Sequence, residues 1–420
     1  ILLSVGLLWL WLERGGGWRV LLTGLAAGLA MVAKYNGLLV WPIFVAVLLL
    51  HPPAHAGASG WRARTLGLLT MGIAAFALLW ACYGFDFGSA KLPGFSLPLP
   101  APFYWEHLAG TLTGLLEEGA VKPDFLLGQV STQGWWYYFP VAAALKTPLP
   151  TLLLAVTGAL ALTAKGGWRR QSAVWLPIVA FGALALTGLL TIGYRHLLPV
   201  IPLLALLAGN SVLWLAGRTR GLWAASIALL LLWLAISTLW FFPNHDSYFN
   251  ELAGRWTNWS SLLVDSNLDW GQDLPALADV QDELGIERIN FAYFGKAVPE
   301  KYGVRYTPLP GYLRFMVGRE ANAWNRISPE PGWYAISATS LRLGTLQSDT
   351  VDLYAWFRDR TPVARAGYSI YLYQVEDEPG TTVERALFTA EPVWRAAEQA
   401  QGSVGRRVQA KWRQSEGTLI

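Results

Sequence analysis

What most constrains this 420-residue chain is the crowding of its apolar residues into residues 1–242. Eight stretches there are apolar enough for helices in lipid: 1–12, 19–33, 37–50, 65–83, 139–163, 172–192, 197–216 and 221–242. Backbone exposed to lipid must satisfy its own hydrogen bonds, and unbroken apolar runs of this kind do so as helices. Only 14% of the chain is charged, against about 25% in soluble domains, and most of that charge lies beyond Phe242. The single cysteine, Cys82, excludes an intrachain disulfide and leaves the redox compartment open. The net charge of +4 is too small to read as a nucleic-acid footprint, so no nucleic-acid partner is expected.

The connecting segments alternate in character. Segments 13–18, 51–64, 164–171 and 217–220 carry Arg14, Arg62, Arg64, Lys165, Arg169, Arg170, Arg218 and Arg220, with Glu13 their only acid. The positive-inside rule makes these cytoplasmic. Residues 84–138 and everything after Phe242 then fall outside. The expected organisation is a multi-pass transmembrane domain over 1–242, an extracytoplasmic α/β domain over 243–379, and a polar helical tail over 380–420. The cell membrane is the expected location. The first run would rise only about 18 Å, short of a hydrocarbon core of about 30 Å, and no basic segment precedes it. It reads as a helix cut in half and not as a signal peptide.

Runs 19–33 and 37–50 are also short, and both outer ends are cytoplasmic. They form a hairpin whose tip is Lys34-Tyr35-Asn36-Gly37. A lysine at that depth calls for a cavity or a neighbouring anion, unless it snorkels to the headgroups. In the long external loop, residues 103–117 have the spacing of an interfacial helix, and Trp135 to Tyr138 mark re-entry into the bilayer. Pro148 and Pro150 suit the first turn of a helix, which predicts a break after Lys146.

Beyond Pro243 the period changes. Residues 261–265, 288–294, 332–339 and 366–375 read as strands, and 274–284 and 350–358 as helices, giving a compact α/β domain. Gly285 falls where a glycine ends a helix.

No glycine-rich phosphate loop, nucleophile elbow or Cys/His cluster is present. What recurs is a set of cations that the topology puts at one depth: Lys34, Lys146 and Arg195. A guanidinium there needs a partner, and a lipid phosphate would supply bidentate hydrogen bonds. His196 could donate to the same phosphate or carry a proton. The string Asp265-Ser266-Asn267-Leu268-Asp269-Trp270-Gly271-Gln272-Asp273 has oxygen ligands at alternate positions, as a calcium loop has. Trp270 and Ala276 stand where such a loop needs glycine and glutamate, so no metal site is assigned and a divalent-metal requirement stays open. Asp265 and Asp273 read as caps at a strand end and a helix start. A sugar- or acceptor-binding role for Asp265, Asp269 and Asp273 is the alternative.

Four segments together give the chain a family likeness: 24–42 (GLAAGLAMVAKYNGLLVWP), 126–150 (LLGQVSTQGWWYYFPVAAALKTPLP), 193–209 (GYRHLLPVIPLLALLAG), and 248–277, which holds YFNELAG and DSNLDWGQDLPAL. They resemble the GT-C superfamily of polytopic glycosyltransferases, in its bacterial protein-mannosyltransferase-like and aminoarabinose-transferase-like branch. The resemblance implies inverting transfer of a sugar from a polyprenyl-phosphate donor to a glycan, lipid or protein on the extracytoplasmic face, with no cofactor. Carried over by position, Lys34 and Arg195 match the donor-phosphate contacts, with Tyr35, Lys146 and His196 beside them. The family's catalytic Asp lies in the first external loop, which would precede Ile1. Among the acids of the later loop (Asp86, Glu106, Glu117, Glu118 and Asp124), Glu106 and Glu117 are the candidates to line the cavity. A transporter or flippase for an isoprenoid-linked or anionic substrate is the competing reading. It would call for an internal repeat and mid-membrane charges, and neither is visible. A non-catalytic envelope anchor would not need eight apolar segments.

Overall fold

The structure, a computed structural model, describes residues 1–52, 54, 60–116, 124–164, 167–187, 193–216, 221–309, 329–344, 353–376, 412–413 and 418–419. Contacts divide the chain into two units, one of residues 1–121 and 133–240, the other of 122–132 and 241–420.

The first unit is helical. Its helices are α1 (Leu2–Arg14), α2 (Gly17–Ala33), α3 (Val40–Leu50), α4 (Trp61–Cys82), α5 (Pro102–Leu116), α6 (Tyr138–Lys146), α7 (Leu149–Ala164), α8 (Ser172–Leu186), α9 (Ile201–Ala216) and α10 (Leu222–Trp240). Each of the eight apolar stretches carries one of them or, for 139–163, the pair α6 and α7. Among the described residues two helices, α4 with 22 residues and α10 with 19, are long and apolar enough to cross a membrane. A third span results if α6 and α7 count as one, bent by 115° at the break. That break falls where the prolines predict it. Thr147 precedes Pro148 and is held extended at φ −89° and ψ 133°, because the proline ring disfavours the helical region for the residue before it.

Close packing in this unit depends on glycine. Gly24 and Gly28 lie one turn apart on α2 and set its backbone onto α4. A Cβ on Gly24 would lie 2.4 Å from the Met71 carbonyl oxygen, and one on Gly28 2.7 Å from that of Ala75. This is the small-residue spacing by which helices approach in lipid. Gly158 of α7 is tighter still, since a Cβ there would lie 1.8 Å from the Leu207 carbonyl oxygen on α9. Gly158→Val therefore forces α7 and α9 apart and is expected to cost more than about 2 kcal/mol. A fall of several degrees in the melting temperature of the detergent-solubilised chain checks this, and an unchanged melt contradicts it.

The segment between α4 and α6 holds a hairpin that its periodicity does not reveal, β1 (Phe87–Leu92) paired with β2 (Phe95–Pro100). The signal was the Pro93-Gly94 turn, with Gly94 at φ 85°. The helix expected over 103–117 is α5.

The second unit begins with a small hairpin, β3 (Asp124–Leu126) and β4 (Gln129–Ser131). Phe125 of that hairpin is buried with Val264, Phe294 and Leu343. The main body contains α11 (Leu274–Glu283), β5 (Ile289–Ala292), β6 (Tyr306–Pro308), β7 (Gly332–Ser337), α12 (Ala338–Leu343), α13 (Ala355–Arg358), β8 (Ala364–Ala366) and β9 (Ile370–Val375). Its five-stranded sheet has the order β6-β5-β7-β9-β8. Strands β6, β5 and β7 run parallel, and β9 pairs antiparallel with both β7 and β8. Leu274 and Leu277 of α11 pack on Ile289, Phe291, Ala335, Ile370 and Leu372.

Two expectations for this unit need correction. Residues 261–265 are not a strand: the chain makes 3-10 turns at Trp256–Ser261 and Asp265–Asn267. Leu263 and Val264 are both buried, and a short apolar run of this kind does not separate strand from turn by period. Its polar groups serve other partners, Leu127 N–H donating to the Leu262 carbonyl and Asp265 N–H to Thr339 Oγ1. Residues 366–375 are two strands and not one, because Gly367 at φ 58° turns the chain between Ala366 and Ile370. In the tail, Trp412–Arg413 (β10) pairs with Thr418–Leu419 (β11). The rest of the helix expected over 380–420, like Glu117, Glu118 and residues 350–352, lies outside the described residues.

Candidate functional site

Three separated pieces of chain meet in the first unit around Lys34, Arg195 and His196. Helix α2 stops at Ala33, and Lys34 adopts φ −165° and ψ 143° before a 3-10 turn over Tyr35–Leu39. Gly37 permits that reversal, since a Cβ would lie 2.1 Å from the Ala30 carbonyl oxygen. The second piece is another 3-10 turn, Tyr194–Leu197, which carries Arg195 and His196. The third is the α6–α7 break.

Lys34, which is exposed, places its Nζ 3.5 Å from His196 Nδ1, across 162 positions of sequence. That separation is at the outer limit of a hydrogen bond. With the ammonium donating, Nδ1 accepts and the imidazole proton sits on Nε2. Arg195 is near enough to act on both by like-charge repulsion. His196 Nε2 is buried without a hydrogen-bond partner, on the wall of a cavity of about 20 Å³ lined also by Asn36, Phe139, Phe181, Leu184, Ala185 and Leu197. Such a volume holds about one water molecule.

Lys146 ends α6 and is only 7% exposed. Beside it, Thr147 Oγ1 lies 2.8 Å from the Tyr194 hydroxyl, which ties the proline break to the residue preceding Arg195. Sequence spacing gave no sign of that contact. Tyr35 sets its ring edge-on to Tyr104 of α5 at 5.4 Å. Glu106 accepts the Lys91 N–H at 2.7 Å and so fastens α5 to the β1–β2 hairpin. An apolar groove of about 590 Å³ runs along α4, lined by Trp41, Leu68, Leu69, Ile73, Phe76 and Trp80 among others.

The aspartate string belongs to the second unit, where it forms a tightly bonded loop. Thr339 is its pivot: its hydroxyl accepts from Asp265 N–H at 3.0 Å, and its own N–H donates to Asp269 Oδ2 at 3.0 Å. Asp269 Oδ1 accepts from Gly271 N–H at 3.3 Å. Gln272 accepts from Trp270 N–H at 2.7 Å and donates to Ser247 Oγ and the Leu268 carbonyl. Asp273 stands at the start of α11, yet its side chain does not cap that helix. Oδ2 instead accepts from Tyr368 N–H, Ser369 N–H and Ser369 Oγ at 2.8–2.9 Å. Asp269 and Asp273 are 1% and 4% exposed. Of the three aspartates only Asp265, at φ 54°, is not fully buried, and its Oδ1 accepts the Ser266 N–H. Trp270 is the one exposed residue of the loop. Among the described residues no group of three His, Cys, Asp or Glu side chains could hold a metal ion.

Burial pushes the Asp269 carboxyl up to about 7, against the opposing pull of the Thr339 and Gly271 hydrogen bonds, and the charge of Asp273 adds to the rise. An acid whose pKa rises on folding contributes stability at low pH and loses it as the pH climbs through the folded value. The second unit should therefore lose stability between about pH 4 and about pH 7. Thermal melts across that range test this: Asp269→Asn should flatten the slope, and an unaltered slope contradicts the assignment.

No family model, curated protein or solved structure matches the chain.

Proposed function

We propose that the chain is an integral membrane glycosyltransferase of the GT-C kind, which moves a sugar from a polyprenyl-phosphate donor to a glycan, lipid or protein acceptor on the extracytoplasmic face of the cell membrane. The observation that carries this reading is the convergence of Lys34, Arg195 and His196, three nitrogen side chains from turns between apolar helices. A lipid phosphate at a membrane interface is an anion that lysine and arginine side chains at helix ends can hold. The apolar groove along α4 offers a surface for an isoprenoid tail.

In the reaction, a carboxylate base takes the proton of the acceptor hydroxyl or amine as the acceptor attacks the anomeric carbon from the face opposite the leaving group. The bond between that carbon and the phosphate oxygen breaks, and the lipid phosphate leaves with its electron pair. Negative charge grows on that oxygen through the transition state, where Lys34 and Arg195 stabilise it more than they stabilise the intact donor. The test is transfer of a radiolabelled sugar in reconstituted vesicles containing the full-length protein. Transfer from polyprenyl-phosphate-sugar, and none from a nucleotide sugar, is expected. Movement of the lipid across the bilayer without transfer would replace this reading with the flippase.

A further inference from the structure

Away from Lys34, Arg195 and His196, the first unit holds a cavity of about 460 Å³ bordered by α1, α8 and α9. Its apolar length is lined by Leu2, Val5 and Trp9 of α1, Val174 of α8, and Leu203 and Leu206 of α9. Gly6 lines it too, and among the described residues a Cβ there would meet nothing within 4 Å. From Leu2 to Glu13, both on its wall, α1 rises about 16 Å. Glu13, Arg170 and Gln171 line the remaining end, at the last turn of α1 and the start of α8. A long apolar pocket with a few polar groups in one place is the usual form of a ligand site.

The polar end carries both signs of charge. Glu13 is the one acid of the four basic connecting segments, and the fully buried His51 holds it, with Nε2 3.1 Å from Oε1. Burial pushes the His51 imidazole below its ordinary value, against the pull of Glu13. A neutral imidazole donates to the carboxylate without cancelling its charge. Arg170 is near enough to act on the same imidazole by its own charge, which sets it in the neighbourhood of Glu13.

We infer that this cavity holds one phospholipid with an ethanolamine headgroup, its acyl chain along α1, its phosphate on Arg170 and its ammonium on Glu13. The inference rests on the helices lying in a bilayer and not on sugar transfer. A guanidinium gives a phosphate paired hydrogen bonds, and a carboxylate accepts from an ammonium N–H. A choline headgroup has no N–H to give, and a glycerol headgroup brings no positive charge to Glu13. The charge pattern therefore separates headgroups that share one phosphate and the same acyl chains. Glu13 and Arg170 belong to basic segments, so the lipid is one of the cytoplasmic leaflet, across the bilayer from the proposed transfer site.

The experiment incubates the full-length protein in detergent with equal amounts of phosphatidylethanolamine, phosphatidylcholine and phosphatidylglycerol of identical acyl chains, and counts bound lipid by native mass spectrometry. The ethanolamine lipid should be retained about tenfold over the other two. Gly6→Leu fills the cavity without striking protein, so it should abolish that retention and leave the melting temperature unchanged or raised. Gly182→Leu, on α8 where a Cβ also meets nothing, should retain lipid as the wild type does. Glu13→Gln keeps an acceptor for His51 and should erase the preference over choline, whereas Arg170→Gln should weaken all three lipids. Equal retention of the three lipids by the wild type overturns the proposal. A preference that survives both Gly6→Leu and Glu13→Gln overturns it as well. Carbonate washing of membranes tests the premise: a chain that washes off overturns the membrane reading and this site together, and a chain that stays without headgroup preference overturns this site alone.

Discussion

Replacing Arg195 by alanine is expected to lower sugar transfer from a polyprenyl-phosphate donor by about 10²–10³-fold in the full-length protein. The loss should appear in both turnover and donor binding, since the guanidinium meets a phosphate that is charged in the ground state and more so in the transition state. Arg195→Lys should recover part of it, because an ammonium restores the charge without the bidentate fork. The Tyr194–Thr147 hydroxyl contact lies next door and does not use the Arg195 side chain, so the turn should survive. Comparable melting temperatures for wild type and variant would separate a chemical loss from a folding loss. Activity within a few-fold of wild type would remove Arg195 from the donor site.

Asp273→Ala is expected to destabilise the second unit by about 3–5 kcal/mol, a large part of the stability of an ordinary domain. The carboxylate receives three donors from Tyr368 and Ser369, and removing it strands two backbone N–H groups and a hydroxyl, most of them buried. The same carboxylate packs against Gly367, where a Cβ would lie 2.2 Å from its Cγ and where φ is 58°. This clamp holds the turn between β8 and β9 in register. Hydrogen exchange of the β9 amides should rise steeply in the variant, while Asp273→Asn, which keeps one acceptor oxygen, should lose much less. Protection equal to wild type in Asp273→Ala would show that the turn is held by other contacts.

Much of the architecture was written in local pattern. The eight apolar runs, the α6–α7 break at Pro148 and Pro150, α5, α11 with Gly285 after it, and β5 and β7 all follow from period, proline geometry and glycine placement. Where the reading failed, the deciding contacts were distant in sequence. Residues 261–265 became turns because Thr339 and the β3–β4 hairpin claim their polar groups. Asp273 looks like a helix cap, yet its partners lie 95 and 96 positions away. Lys34, Arg195 and Lys146 could be listed together from charge alternation alone. The pairing of Lys34 with His196, and of Thr147 with Tyr194, required the tertiary structure, because no spacing rule links positions so far apart.

The central claim is that Lys34 and the Arg195–His196 turn face one lipid phosphate. Photo-cross-linking tests it most directly, using a polyprenyl phosphate with a diazirine on the first isoprene unit, followed by peptide mapping. The account predicts label in the peptides around residues 31–41 and 193–200, suppressed by excess unlabelled polyprenyl phosphate and by Arg195→Ala. Label confined to other helices, or undiminished in Arg195→Ala, would contradict it.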